Sequence, residues 1–218
     1  MPAAPVLYVD SADVDRVGPL LRDGLVAGVT TNPTILERGG RRIGDLPELY
    51  ARWVEEGAGE VFFQTWGDST AEMLAHADEI LALGDRVAVK VPATRDGFAA
   101  TRTLVGNGAT VLVTAVYSVA QALASAAYGA RYIAPYHGRL RDAGIDGTEL
   151  IRRMQAVCEG SQTDVLAASL RSPDDIVALR EAGVPFFTAA PDVILGLLHD
   201  DISERSAADF AAAVERIS

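Results

Sequence analysis

Short apolar runs alternate with longer, helix-patterned segments along the whole chain, and this alternation limits the fold more than any other feature. Runs at 6–9, 28–31, 60–64, 86–91, 110–114, 132–135, 164–168 and 186–189 read as strands. Between them lie Ala-, Leu- and Glu-rich stretches such as 69–83, 118–128 and 172–182, which carry helical patterning. Strands separated by helices make βαβ units, and their strands run parallel. Eight such units predict an α/β fold, a (β/α)8 TIM barrel, as one domain over 1–218 with a C-terminal helix at 204–217. An open doubly wound sheet is the competing arrangement. No Pro/Gly/Ser-rich linker divides the 218 residues, a length sufficient for one large core.

Local signals agree with this division. Pro173 and Pro191 fall in first turns, where a missing N–H costs nothing. Gly129 and Gly183 follow helical stretches and fit C-terminal caps. Strand side chains alternate faces. Val87, Val89 and Val91 therefore share one face and suit the layer beneath the helices, while Ala88 and Lys90 share the other and suit the barrel axis. The same alternation turns Asp10, Gln64 and Thr114 inward at the C-terminal ends of their strands, the face on which barrels build active sites.

Lys90 is the only lysine in the chain, and it lies within the apolar run 87–92. Burial disfavours an ammonium and lowers its pKa. A neutral lysine amine is a nucleophile that condenses with a carbonyl to a Schiff base. A core lysine held by a carboxylate is the alternative reading.

The remaining strand-end polar residues are Asp10, Thr30, Thr31, Asn32, Gln64, Thr114, Tyr136, Ser169 and Arg171. Each has a bland role open to it. Asp10 could cap the next helix. Residues 31–33 could be a plain turn. Gln64, Thr114 and Tyr136 could be satisfied core groups.

Composition narrows the partners. With 49% hydrophobic and 22% charged residues the chain is not disordered in the main. A net charge of −11 opposes binding to nucleic acid or to an anionic membrane, though local arginines can still hold a small anion. The single cysteine, Cys158, allows no intramolecular disulfide and reads as a core or helix-surface thiol. The three histidines have no metal-ligand spacing; His76 and His199 read as surface residues, and His137 as facing pocket or solvent. Neither a leader-like N-terminus nor an apolar run long enough to span a bilayer is seen, so a soluble, cytoplasmic protein is expected.

Six runs resemble the transaldolase family, and more narrowly its fructose-6-phosphate aldolase-type small members. They are Leu7-Tyr-Val-Asp-Ser11, Ala27-Gly-Val-Thr-Thr-Asn-Pro-Thr34, Val87-Ala-Val-Lys-Val-Pro92, Thr114-Ala-Val-Tyr117, Ala134-Pro-Tyr-His-Gly-Arg139 and Ala167-Ala-Ser-Leu-Arg171. They cover nearly the whole chain in order. The resemblance implies a (β/α)8 barrel, Schiff-base chemistry, no metal and no cofactor. It implies sugar phosphates and dihydroxyacetone as small-molecule partners, and a ring-like homo-oligomer. By its pattern Lys90 is the Schiff-base lysine and Asp10 its proton-transfer partner. Thr30 and Asn32 hold ketose hydroxyls, and Ser169, Arg139 and Arg171 stand on the phosphate side.

Transaldolases proper carry a glutamate on the third strand and a phenylalanine in the sixth-strand motif. This chain has Gln64 and Tyr136 there, as aldolase-type members do. A glutamine orients water but cannot take its proton, so Tyr136 would carry proton transfer, with Gln64 and Thr114 fixing the water. The run Phe187-Thr-Ala-Ala-Pro191 departs from the aldolase pattern. The readings set beside an aldolase are a transaldolase, a non-catalytic sugar-phosphate-binding barrel, and a barrel isomerase or epimerase. The Ala-rich stretch 207–214 reads as an amphipathic helix for its own barrel or for a neighbour.

Overall fold

In the computed structural model, which describes residues 4–218, the apolar runs form eight strands. They are β1 (Val6–Asp10), β2 (Gly28–Thr30), β3 (Glu60–Gln64), β4 (Val87–Pro92), β5 (Val111–Val116), β6 (Tyr132–Pro135), β7 (Asp164–Leu170) and β8 (Phe186–Ala189). All pair in parallel and in sequence order, and β8 pairs with β1, so the sheet closes into a barrel. That closure excludes the open doubly wound arrangement.

The connecting helices form the outer ring. They are α1 (Val14–Arg22), α2 (Pro33–Arg38), α3 (Leu46–Glu55), α4 (Thr70–Leu81), α5 (Arg95–Gly106), α6 (Val119–Ala127), α7 (His137–Asp142), α8 (Gly147–Cys158), α9 (Pro173–Glu181), α10 (Pro191–Gly196) and α11 (Asp201–Ile217). Side-chain oxygens close many of their first turns: Asp13 caps α1, Asn32 α2, Ser69 α4 and Ser118 α6. Asp13 therefore does the capping that Asp10 could have done, and leaves Asp10 free for the lumen.

Strand parity separates two cores. Val9, Val29, Val61, Phe63, Val87, Val89 and Val91 belong to the larger one, between sheet and helices. Tyr8, Phe62, Ala88, Leu112, Tyr132, Leu166 and Phe186 fill the lumen. At the N-terminal floor of the lumen, Glu60 accepts hydrogen bonds from Tyr8 (2.9 Å) and Tyr132 (3.2 Å). The Arg131 guanidinium lies 4.4 Å from the Tyr132 ring centroid and is paired with Asp164. The floor is a plug of mutually satisfied polar groups.

Two strands run past their expected ends by bulging. β5 shifts register between Thr114 and Val116, and β7 between Ala167 and Leu170. Ala115 (φ 57°) and Ser169 (φ 58°) sit in the left-handed region at these bulges, a conformation that costs an L-residue free energy. At the C-terminus, α11 starts at Asp201 rather than 204, because the Asp200 carboxylate accepts from the N–H groups of Ile202 and Ser203. None of its residues is buried, and Ile202, Phe210, Val214 and Ile217 are exposed.

Candidate active site

At the opposite end of the lumen, where the strands finish, a cleft of about 160 Å³ opens. Asp10, Asn32, Lys90, Tyr136, Arg139 and Ser169 line it. The other four expected residues fall outside that lining. Thr30 and Thr114 each stand one hydrogen bond behind it, Gln64 pairs with Lys90 across the β3–β4 ladder, and Arg171 is turned away.

Lys90 comes from the lumen face of β4 and is 3% exposed. Burial lowers its pKa below the usual lysine value, and the nearby Asp10 carboxylate opposes that only in part. Asp10 is shifted the other way. Burial raises its carboxyl, while Lys90 and a hydrogen bond from Thr30 pull it down. The two shifts run in opposite directions, each set by burial and opposed by the partner's charge. Thr30 donates to Asp10 at 2.6 Å, and its oxygen lies 2.7 Å from the Thr188 hydroxyl on β8. Thr188 is 2% exposed and was not expected at the site. The signal for it was strand parity, which turns Phe186 and Thr188 the same way.

Asn32 is both cap and cleft residue. Its Oδ1 accepts from the Ile35 N–H at 3.0 Å, and Pro33 opens α2 behind it. The 31–33 turn is thus a helix start that leaves the Asn32 amide nitrogen uncommitted.

Tyr136 ends β6, with its phenol 2.9 Å from the Thr114 hydroxyl. Burial holds that phenol above its ordinary pKa, with Thr114 and Arg139 working against the shift. It stays protonated at neutral pH and can donate. The Arg139 guanidinium stands 5.2 Å from its ring centroid. Beyond the ring, Ser169 reaches the cleft because the β7 bulge puts it there. Gly138 permits that packing, since a Cβ there would sit 2.6 Å from the Ser169 carbonyl oxygen.

Arg171 forms a two-pronged pair with Asp142, one bond at 2.7 Å, and does not line the cleft. His137 faces neither pocket nor solvent. It is buried, 3.2 Å from the Thr148 hydroxyl and 3.7 Å from Asp175. His76 is half-buried, stacked on Trp66. Cys158 is in the core, its thiol pushed up to about 11 by burial. Among the described residues no cluster of His, Cys, Asp or Glu is placed to hold a metal, and no helix is long and apolar enough to cross a membrane.

A family model described as transaldolase/fructose-6-phosphate aldolase matches residues 7–217. A "Probable transaldolase" of Ruegeria sp. (strain TM1040) is 34% identical over 210 residues, covering 95% of each chain. Another "Probable transaldolase", of Cereibacter sphaeroides (strain ATCC 17025), is 36% identical over 207 residues, 94% of this chain and 93% of that one. Among solved structures, a thiamine phosphate pyrophosphorylase from Pyrococcus furiosus superposes with a TM-score of 0.58 over 87% of each chain. At 19% identity that likeness is one of fold alone.

Proposed function

The chain belongs to the transaldolase/fructose-6-phosphate aldolase family and is an enzyme of that type, and on this premise we propose a class I aldolase acting on fructose 6-phosphate or a related ketose. It splits the ketose phosphate into a dihydroxyacetone unit and glyceraldehyde 3-phosphate, or joins the two. The observation that carries the reading is the buried, lone Lys90 in the cleft that Asp10 also lines.

Neutral Lys90 adds to the ketose C2 carbonyl, and loss of water gives an iminium. The iminium draws electrons from the C3–C4 bond, which breaks as the C4 hydroxyl loses its proton. An aldehyde leaves and an enamine remains. Asp10, held by Thr30, is the base nearest the amine. Tyr136, held by Thr114, supplies the proton for hydrolysis, with Gln64 orienting water. Asn32 holds substrate hydroxyls, and Thr30, behind the cleft, acts through Asp10. Ser169 and Arg139 face the phosphate, whose charge suits guanidinium hydrogen bonds.

A second reading, transfer of the dihydroxyacetone unit between sugar phosphates, is favoured by the names of the relatives. Gln64 and Tyr136 favour the aldolase. Free dihydroxyacetone, measured with fructose 6-phosphate as sole substrate, separates the two. A homo-oligomer in the cytoplasm belongs to the same proposal; the exposed apolar residues of α11 favour assembly.

Incubation with dihydroxyacetone and borohydride, followed by intact mass and peptide mapping, tests the chemistry. One reduced adduct on Lys90 is expected. With neither dihydroxyacetone nor fructose 6-phosphate giving an adduct, the aldolase reading would be abandoned for a binding barrel.

A further inference from the structure

The expected phosphate site has lost one cation to Asp142, and an arginine from the opposite wall of the barrel stands in the cleft instead. That residue is Arg38. Asn32 fixes the start of α2 directly after β2, and Thr34, Ile35 and Arg38 follow at helical spacing on one face. All three line the cleft. Arg139 reaches it from α7, after β6. In a ring of eight strands β2 and β6 are diametrically opposed. The two guanidiniums therefore enter from facing walls.

Their electrostatic setting differs from that of the arginines held in ion pairs. Arg22, Arg131, Arg141, Arg152 and Arg171 are each held by a carboxylate. Neither Arg38 nor Arg139 takes part in an ion pair among the described residues. In a chain of net charge −11, two uncompensated guanidiniums on one small cleft mark a place for an anion. A phosphate dianion accepts from two planar forks at once.

We propose that Arg38, with Arg139, forms the phosphate clamp of this site, and so sets its preference for phosphorylated over unphosphorylated aldehydes. This rests on the aldolase reading and names the residue that selects the acceptor. Arg171 braces α7 through Asp142 instead of meeting substrate.

The test is the ratio of kcat/KM for glyceraldehyde 3-phosphate to that for glyceraldehyde, with dihydroxyacetone as donor. Arg38→Ala lowers the ratio about ten- to a hundredfold, mainly through KM for the phosphorylated aldehyde. Arg38→Lys recovers part of the loss, and Arg171→Ala lowers the ratio less than Arg38→Ala. An equal fall for both aldehydes, or no fall, overturns the clamp. Calorimetric titration with inorganic phosphate gives a second readout that needs no turnover. Wild-type protein binds and Arg38→Ala binds about tenfold or more weakly; equal affinity overturns the proposal. If wild-type protein turns over neither aldehyde, the aldolase reading fails and the phosphate titration alone decides Arg38.

Discussion

The two ends of the barrel lumen are furnished with the same kinds of side chain and reach opposite results. The floor has a carboxylate, two phenols and a guanidinium in Glu60, Tyr8, Tyr132 and Arg131. The mouth has a carboxylate, a phenol, an amine and a guanidinium in Asp10, Tyr136, Lys90 and Arg139. At the floor the phenols both donate to Glu60, while Arg131 lies over one ring and pairs with Asp164. At the mouth the hydrogen bonds come from behind, from Thr30 and Thr114, and the front of each group faces open volume. A polar cluster that satisfies itself is structural, whereas one held only from the rear keeps capacity for a substrate. Residue type does not separate the two cases; the partners do.

The largest expected effect is at the mouth. Lys90→Met removes the amine, so turnover falls below detection and no borohydride adduct forms, with the circular-dichroism spectrum unchanged. Retained turnover would refute the Schiff-base scheme outright. Tyr136→Phe keeps the ring under Arg139 but removes the proton, and slows turnover by roughly 10²–10⁴. An unaltered rate would move the proton to another group.

The pH profile comes next. Only neutral Lys90 attacks, and burial places its pKa below the ordinary 10.5. Below that lowered value kcat/KM climbs about tenfold per pH unit, then levels off. A profile that still climbs near 10.5 would mean that the amine is solvated.

The floor responds in the other currency. Tyr8→Phe takes one donor from a buried carboxylate and costs about 1–3 kcal/mol. In a chain of this size that lowers Tm by about 2–4 °C per kcal/mol. Activity stays within about twofold, although Tyr8 is only two residues from Asp10 on the same strand face. Loss of activity without loss of stability would erase the contrast between the two ends. The smallest effect is at Arg171. Its pair with Asp142 is solvent-exposed, so Arg171→Ala alters stability little and activity by less than about threefold.

Much of this is legible in the sequence. β3, β6 and β8 run where apolar patterning puts them, since each is a plain alternating or buried run between turns. β2 ends one residue early: Thr31 still donates its N–H and its hydroxyl to the Phe62 carbonyl, and the chain then turns at Asn32 into the cap of α2. β5 and β7 overrun because bulges at Ala115 and Ser169 need positive φ, which neither residue type announces. At the site, parity found Asp10, Gln64, Lys90 and Thr114, since strand position alone orients them. It could not find Arg38, which ends a six-residue helix and looks like any surface arginine until the helix is placed. Arg171 lies outside the cleft lining for the complementary reason. Its position suits the phosphate side, but the pull of Asp142, twenty-nine residues away in sequence, is a tertiary fact.

A chain with one lysine also has an unusually bare titration curve. Apart from three histidines, every other basic side chain is arginine, which holds its proton beyond pH 12. On the alkaline side little is left to titrate besides Lys90, the terminal amine, six phenols and one buried thiol. Converting a neutral amine to an iminium consumes one proton per site. In lightly buffered solution, a pH electrode would therefore count working sites as dihydroxyacetone is added, without label, chromophore or turnover.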